Sequence, residues 1–319
     1  IISVDGLEKR YGGVVAVDEL DLDIEEGSIT GLIGPNGAGK TTTFDLLSGF
    51  EQPDGGQVRY DGQDLQELMA PSRDEQLIWG GATALITAAL GAIIALGPLG
   101  LGPALGAAAL GVGALLGLVA FRGQARVRQQ RAEMANQRPQ LLAREGLVRT
   151  FQITRELTEM TTLENLMLAP MDQGGENLFN TWFRGEAVAR EEAAIEAEAE
   201  EMLELLEIDH LRDEQAGNLS GGQRKLLELG RALMLDPTVI LLDEPVAGVN
   251  PTLTQKLIDR IEVLRERGYT FCIVEHDMEV IMSLSDRIIV MAEGRRLTEG
   301  PPAEIRADEA VIEAYLGDA

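Results

Sequence analysis

Residues 34–41 read Gly34, Pro35, Asn36, Gly37, Ala38, Gly39, Lys40 and Thr41. They complete the pattern of a phosphate-binding loop, in which glycines let backbone N–H groups close around phosphate oxygens. The apolar run Ile29–Ile33 before the loop predicts a strand, and Thr42–Leu47 after it predicts a helix whose N-terminus adds unpaired donors. A glycine-rich turn without function is the alternative. The flanking strand and helix favour a nucleoside triphosphate site in which Lys40 reaches the terminal phosphates and the Thr41 hydroxyl ligates Mg²⁺.

Two adjacent carboxylates follow a second apolar run. Val239–Leu242 predicts a strand buried on both faces, and Asp243 and Glu244 come directly after it. In a phosphate-loop protein an aspartate at this place helps to hold Mg²⁺. Glu244 is then placed to orient or deprotonate a water that attacks the γ-phosphate. A solvated loop end is the alternative interpretation of the same pair.

Strand and helix patterns alternate along the rest of the chain, which is typical of an α/β protein with a parallel sheet. Thr270–Val274 predicts another buried strand, and the single cysteine, Cys272, is expected to lie buried in it. Further strands are predicted at Gln57–Tyr60, Leu147–Gln152 and Arg287–Met291, helices at Thr162–Ala169, Glu186–Leu206, Leu253–Arg267 and Val311–Leu316, and three short strands at Ile1–Val4, Val14–Val17 and Leu20–Ile24.

A third motif begins another predicted helix, Arg224–Leu235. Ser220 is a natural N-cap residue, and the two glycines that follow it leave backbone donors open at a helix start. The motif as a whole comprises Leu219, Ser220, Gly221, Gly222 and Gln223. By itself this pentapeptide is also compatible with an ordinary capped loop.

In chain order these motifs resemble the ATP-binding subunits of ABC transporters, over residues 1–69 and about 141–319. The matching residues are Gly34–Thr41, Gln152 after a predicted strand, Leu219–Gln223, Asp243 with Glu244, and His276 beyond the last core strand. The resemblance implies an α/β fold: a phosphate-loop NTPase core with a RecA-like parallel sheet, an antiparallel β subdomain and a helical subdomain.

The resemblance also implies a role for each matching position, with ATP and Mg²⁺ as the bound groups. Tyr11 is expected to stack on adenine, although a core or turn tyrosine is the alternative, and residues 34–41 with Thr42 are expected to bind the phosphates. The implied catalytic residues are Glu244 as general base, His276 at the γ-phosphate, Gln152 and Lys40; the implied metal ligands are Thr41, Gln152 and Asp243.

The resemblance further implies that two ATPase subunits, identical or paralogous, enclose two ATP molecules between them. Ser220, Gly221, Gly222 and Gln223 of one subunit would then complete the site of the other. Separate permease subunits and an extracytoplasmic substrate-binding protein are the other partners that this family implies.

Four shorter matches resemble the importer ATPases for branched-chain amino acids. They are Arg149–Gln152, Ala247–Pro251 with Asn250 where most relatives carry aspartate, Val274–Met278 and Ile312–Gly317. The predicted function is therefore ATP hydrolysis coupled to such import. An importer for another solute, such as an amide, urea or another amino acid, is the first alternative. A non-transport ABC ATPase of translation or DNA repair is the second, and the single phosphate loop and absence of sustained heptads disfavour it.

Residues from about Ala70 to Arg138 depart from the family pattern. Leu77–Phe121 carries no charged side chain, and glycine–proline pairs divide it into two stretches close to the ~20 residues that span a bilayer. Arginines that follow from Arg122 onward mark the cytoplasmic side. The prediction is a membrane-inserted helical hairpin at the cytoplasmic face of the cell membrane. A hairpin buried against protein, or an artefact in the sequence, is the alternative.

The expected organisation has five segments. They are the first part of the nucleotide-binding core with the β subdomain (1–69), the apolar hairpin insert (70–140), a core strand and the glutamine loop (141–152), the helical subdomain (153–219) and the second part of the core (220–319).

The chain is strongly acidic, with 53 Asp and Glu against 27 Lys and Arg and a net charge of -26. This charge argues against nucleic acid as a direct partner, because binding to a phosphate backbone needs a basic patch. Excess carboxylate with only four lysines resembles proteins of salt-loving organisms, in which concentrated salt screens the self-repulsion. An ordinary acidic protein is the alternative.

Overall fold

The apolar runs next to the chemistry-bearing motifs are neighbours in one sheet. In the computed structural model of the chain, β3 (Ile29–Ile33), β8 (Thr270–Val274) and β7 (Val239–Asp243) lie side by side and parallel. All residues of β3 and β8 are buried, and so are the first four of β7. Burial on both faces explains why these strands are continuous apolar runs without polar alternation. The predicted parallel α/β core is confirmed.

The structure describes residues 1–69, 138–150, 157–171, 173–176, 182 and 185–316. Ile1–Leu68 and the residues from Arg138 onward belong to one compact unit. Gln152 and the predicted hairpin at 77–121 lie outside the described residues, and the five-segment division of the chain stays a prediction. None of the described helices combines the length and the apolar character needed to cross a membrane.

Two sheets make up the β structure of the described residues. The larger has the strand order β10-β9-β3-β8-β7-β6, parallel except for the antiparallel edge pair β9 and β10, and the smaller is antiparallel with the order β2-β1-β4-β5. The remaining strands are β1 (Ile2–Tyr11), β2 (Val14–Ile24), β4 (Gly55–Tyr60), β5 (Gln63–Asp64), β6 (Leu147–Arg149), β9 (Arg287–Ala292) and β10 (Arg295–Gly300).

The smaller sheet differs from the sequence prediction in its strand lengths. Three short N-terminal strands were expected, and the structure has two long ones, β1 and β2. The pairing of β1 with β2 shifts register between Val4 and Leu7 and again before Lys9 and Arg10. Such shifts bend a strand without ending it, so the polar residues of β1 stay in the ladder.

Ten α-helices are assigned among the described residues. In chain order they are α1 (Lys40–Leu47), α2 (Leu65–Met69), α3 (Pro139–Arg144), α4 (Thr162–Met167), α5 (Gly185–Leu205), α6 (Gly221–Leu233), α7 (Pro251–Glu266), α8 (Met278–Leu284), α9 (Pro302–Ala307) and α10 (Glu309–Leu316). One hydrophobic core joins sheet residues such as Ile240 and Ile273 to Leu227 of α6 and Ile261 of α7. This shared core holds α6 and α7 against the sheet.

Local capping decides where those two helices begin. Ser220 Oγ accepts the N–H of Gln223, and Gln223 Oε1 accepts the N–H of Ser220, which is a complete capping box before α6. Asn250 Oδ1 accepts the N–H of Leu253 at 3.0 Å and caps α7, with Pro251 in the first turn. Asparagine therefore supplies the same cap that an aspartate would supply at this position.

The buried thiol of Cys272 provides a test of the salt dependence of the fold. The side chain is 2% exposed in β8, and burial raises the pKa of the thiol to about 12. In molar KCl we expect the native thiol to react with a disulfide reagent at pH 8 about a thousandfold more slowly than the thiol of the urea-unfolded chain, because the thiolate is the reactive form.

In dilute buffer, repulsion among the carboxylates is expected to open the fold and to raise the reaction rate. Stopped-flow measurement of thiol release across a KCl series checks this. The same slow rate at every salt concentration would contradict the salt-requiring interpretation of the composition.

Candidate functional site

The phosphate loop joins the end of β3 directly to the start of α1. Gly39 is the N-cap of α1 and has φ of 94°, in the left-handed region that favours glycine. A Cβ atom at this position would also collide with the carbonyl oxygen of Ala16 in β2. The loop therefore closes against the smaller sheet only because residue 39 has no side chain.

Lys40 lies buried along this loop. Its Nζ donates hydrogen bonds to the carbonyl oxygens of Gly34 at 2.7 Å and Pro35 at 3.0 Å. Burial lowers the pKa of the Lys40 ammonium, and the Glu244 carboxylate partly offsets this effect. The ammonium of the loop and the carboxylate at the end of β7 are thus close enough to interact, and they form one site.

Glu244 and His276 meet at the edge of the sheet. Glu244 Oε1 lies 2.8 Å from Nε2 of His276, and the two side chains are 44% and 50% exposed. The Glu244 N–H donates to the carbonyl oxygen of Val274 at 2.8 Å. Glu244 has φ of 50°, which is a strained conformation for a residue with a side chain. A carboxylate with a histidine partner, open to solvent and next to Lys40, suits a general base.

Glu275 is a residue of this site that the sequence patterns did not single out. Its carboxylate is buried, with Oε1 accepting the N–H of Val246 at 2.9 Å and Oε2 accepting that of His276 at 2.8 Å and that of Asp277 at 3.3 Å. It therefore joins the loop that carries His276 to the turn after Glu244. The sequence named it only within the Val274–Met278 match, and an acidic residue directly after a buried strand is one that most proteins place in solvent.

Tyr11 lies beside the first turn of α1. Its hydroxyl pairs with the Thr42 side chain, and its ring is 45% exposed with Lys9 Nζ 5.4 Å from the ring centre. Burial of the hydroxyl raises the pKa of Tyr11, and the Thr42 hydrogen bond opposes this. An exposed aromatic ring next to the phosphate loop is placed where a base can stack on it.

Ser220 and Gly221 are exposed at the start of α6. Gly222 is buried, and a Cβ there would press against Leu253 of α7 and Val249. The Ser220–Gln223 segment is thus held by its own capping hydrogen bonds and by the packing of Gly222 on α7.

The oxygens of the site fit a magnesium ion held with a nucleotide. Thr41 lies in the first turn of α1 and Asp243 ends β7, so the site offers a hydroxyl and a carboxylate. Mg²⁺ prefers oxygen ligands and is usually bound by one or two protein groups plus phosphates and water. Within the described part of the chain no cluster of three or more His, Cys, Asp or Glu could hold a metal by itself.

Removing the Glu275 carboxylate is expected to damage both stability and ATP hydrolysis. E275A leaves backbone donors without an acceptor and should lower the free energy of unfolding by about 3 kcal/mol, since each hydrogen bond to a charged group contributes about 1.5–3 kcal/mol. It should also slow ATP hydrolysis, because His276 loses its support. The exposed Glu279 is the control, and E279A should change neither. Urea unfolding and ATPase rates check this; equal behaviour of the two variants would contradict the role of Glu275.

Comparison with known families identifies this arrangement. A family described as ABC transporter matches residues 17–86 and 114–247. A second family, described as branched-chain amino acid ATP-binding cassette transporter, matches residues 295–319.

Curated relatives match the chain from end to end. A probable branched-chain amino acid transport ATP-binding protein, LivG, of Archaeoglobus fulgidus is 34% identical over 99% of this chain and 95% of its own length. The high-affinity branched-chain amino acid transport ATP-binding protein BraF of Pseudomonas aeruginosa is 34% identical over 100% of this chain and 98% of its own length.

Solved structures agree with the sequence matches. A nucleotide-free ATP-binding cassette from an ABC transporter superposes with a TM-score of 0.65 at 29% identity, covering 99% of this chain and 98% of its own. The ADP conformation of an ATP-binding cassette of an ABC transporter gives a TM-score of 0.64 with the same coverage. Because the family match spans most of the chain and the relatives match it at full length, the chain belongs to the ABC transporter family as one of its ATP-binding subunits, which are ATPases.

Proposed function

We propose that this subunit hydrolyses ATP to drive the import of branched-chain amino acids. The observation that carries the hydrolytic part is the contact of Glu244 with His276 at 2.8 Å beside Lys40. The transported solute is inferred from the full-length similarity to relatives that carry this name. Amides, urea and other amino acids are the alternative solutes, and the transport experiment below separates them.

Each group at the sheet edge has a task in hydrolysis. The loop N–H groups and Lys40 bind the phosphates, and the Lys40 ammonium exchanges its carbonyl partners for phosphate oxygens. Glu244 accepts a proton from the attacking water, and His276 holds that carboxylate in place and contacts the γ-phosphate. Thr41 and Asp243, with Gln152 as a further ligand, would hold Mg²⁺, which would supply positive charge to offset that of the phosphates. Catalysis is positioning and charge stabilisation.

A second ATPase subunit is part of this proposal. Ser220 and Gly221 present an exposed, capped helix start, and α6 is long enough for its N-terminus to favour an anion. Because Ser220 and Gly221 are exposed and the family resemblance assigns this segment to the site of the other subunit, a partner's ATP is its proposed ligand. The remaining proposed partners are permease subunits and an extracytoplasmic substrate-binding protein.

We further propose that the apolar hairpin at 77–121 inserts in the bilayer and holds the subunit at the cytoplasmic face of the membrane. Its length, its freedom from charge and the arginines that follow it support this. The family match leaves out residues 87–113 within the hairpin, so the hairpin would add an anchor to the attachment that the permeases provide.

Transport in proteoliposomes tests the main proposal. The chain is reconstituted with the permease and binding-protein subunits of its proposed importer, and uptake of labelled leucine, isoleucine and valine is followed in high salt. We expect ATP-dependent uptake of all three. E244Q should reduce ATPase and uptake by about 100-fold or more while ATP binding persists, because a general base contributes about 10²–10⁴ in rate.

The exposed Glu279 again provides the control, and E279Q should transport like the unmodified protein. Uptake of urea or an amide without any of the three amino acids would overturn the solute assignment. Unchanged hydrolysis in E244Q would overturn the general-base assignment.

Flotation tests the proposed anchor. The chain is expressed without its permeases and mixed with liposomes at high salt, with and without residues 70–138. We expect only the full-length chain to float, because the apolar stretches provide its affinity for the bilayer. ATP binding by the shortened chain serves as the control for its folding. A full-length chain that stays at the bottom of the gradient would contradict the anchor.

A further inference from the structure

Arg149 is a fully buried cation beside the metal-binding aspartate. Its side chain has 0% exposure and lies at the end of β6, the neighbour of β7. Nη2 donates to Asp243 Oδ2 at 2.8 Å, and Nη1 donates to Asp45 Oδ1 at 2.6 Å and to Ser48 Oγ at 3.1 Å. The guanidinium thereby connects the end of β7 to the helix that follows the phosphate loop.

Two aromatic rings fix the plane of this guanidinium. The centres of the Phe44 and Phe50 rings each lie 5.6 Å from Cζ of Arg149. A planar cation between rings and two carboxylates has little freedom to rotate. Lysine has neither the fork nor the plane, so it cannot replace these contacts together.

The charges of this group leave the metal site attractive to a cation. Arg149 contributes one positive charge, and Asp45 and Asp243 contribute two negative charges. The triad therefore keeps one net negative charge next to the phosphates. Without Asp45, the guanidinium would cancel the charge of Asp243, the carboxylate that is to face Mg²⁺.

We propose that Arg149 is a positioning residue for the metal site. It fixes the Asp243 carboxylate through Oδ2, which leaves Oδ1 to face the metal and its bound water. Asp45 compensates the positive charge of Arg149. This inference rests on the proposed Mg²⁺–ATP function. Groups that orient a metal-binding side chain typically change metal affinity or activity by about 10–100-fold when they are altered. If the ion triad only stabilised the fold, substitutions in it would lower the melting temperature without changing the metal dependence of nucleotide binding.

The test measures how much Mg²⁺ strengthens the binding of a non-hydrolysable ATP analogue to the full-length chain. Equilibrium dialysis gives the dissociation constant with Mg²⁺ and with EDTA, and the ratio of the two isolates the metal contribution. We expect R149K to reduce this ratio by about tenfold or more. The affinity in EDTA should stay near that of the unmodified protein.

D45N is the second variant, and it serves if R149K does not fold. The amide oxygen still accepts the hydrogen bond from Arg149, but the triad becomes neutral. The ratio of the dissociation constants in EDTA and in Mg²⁺ should therefore fall, although Asp45 is not a metal ligand.

R287K is the matched control: Arg287 also contacts two carboxylates, Glu25 at 3.3 Å and Glu299 at 2.6 Å, at the opposite end of the parallel strands. Its ratio should equal that of the unmodified protein.

Two results would overturn the proposal and are distinguishable. If the unmodified protein shows a large Mg²⁺ ratio and R149K and D45N keep it, whatever their melting temperatures, Arg149 is only a structural residue. If the unmodified protein shows no Mg²⁺ dependence, the proposed metal site fails, and the role of Arg149 fails with it.

Discussion

The register of three buried strands determines where the phosphate loop, Glu244 and His276 lie. Leu32 of β3 pairs with Val274 of β8, and Val274 pairs with Asp243 of β7, so the three strands end in one row. Because the strands are parallel, the residues beyond this row all lie at the same edge: the phosphate loop, Glu275 with His276, and Glu244. A slip of one residue in either pairing would turn Asp243 to the other face of the sheet.

A second constraint is electrostatic. The chain carries a net charge of -26, and its proposed substrate is also anionic. The site offers phosphate a buried cation, Lys40, and the N–H groups of the loop, whereas Asp45 and Asp243 balance the charge of Arg149. These interactions act in a partly dry region, where salt screens them little, while salt does screen the repulsion among surface carboxylates. We therefore expect high salt to stabilise the fold and to leave the binding site attractive to phosphate.

The sequence was sufficient where a feature depends on nearby residues. The loop at Gly34–Thr41, the buried strands and the Ser220 cap each follow from a local pattern, and the structure has all three. The polar strand β10 was not predicted, because an edge strand with one partner needs no apolar alternation. Arg149 was visible only as part of a motif, since its partners lie 104 and 94 residues away in the chain.

The turn from Asp243 to Val246 shows why such distant contacts matter. Arg149 holds its first residue at Oδ2, and Glu275 holds its last residue through the Val246 N–H. Glu244 lies between these two fixed points at φ of 50°, a conformation that costs about 1–3 kcal/mol and persists only when its surroundings enforce it. The buried charges of Arg149 and Glu275 thus hold the turn in the conformation that directs the Glu244 carboxylate toward His276. We therefore expect the loss of either charge to let the turn relax and to separate the Glu244 carboxylate from His276.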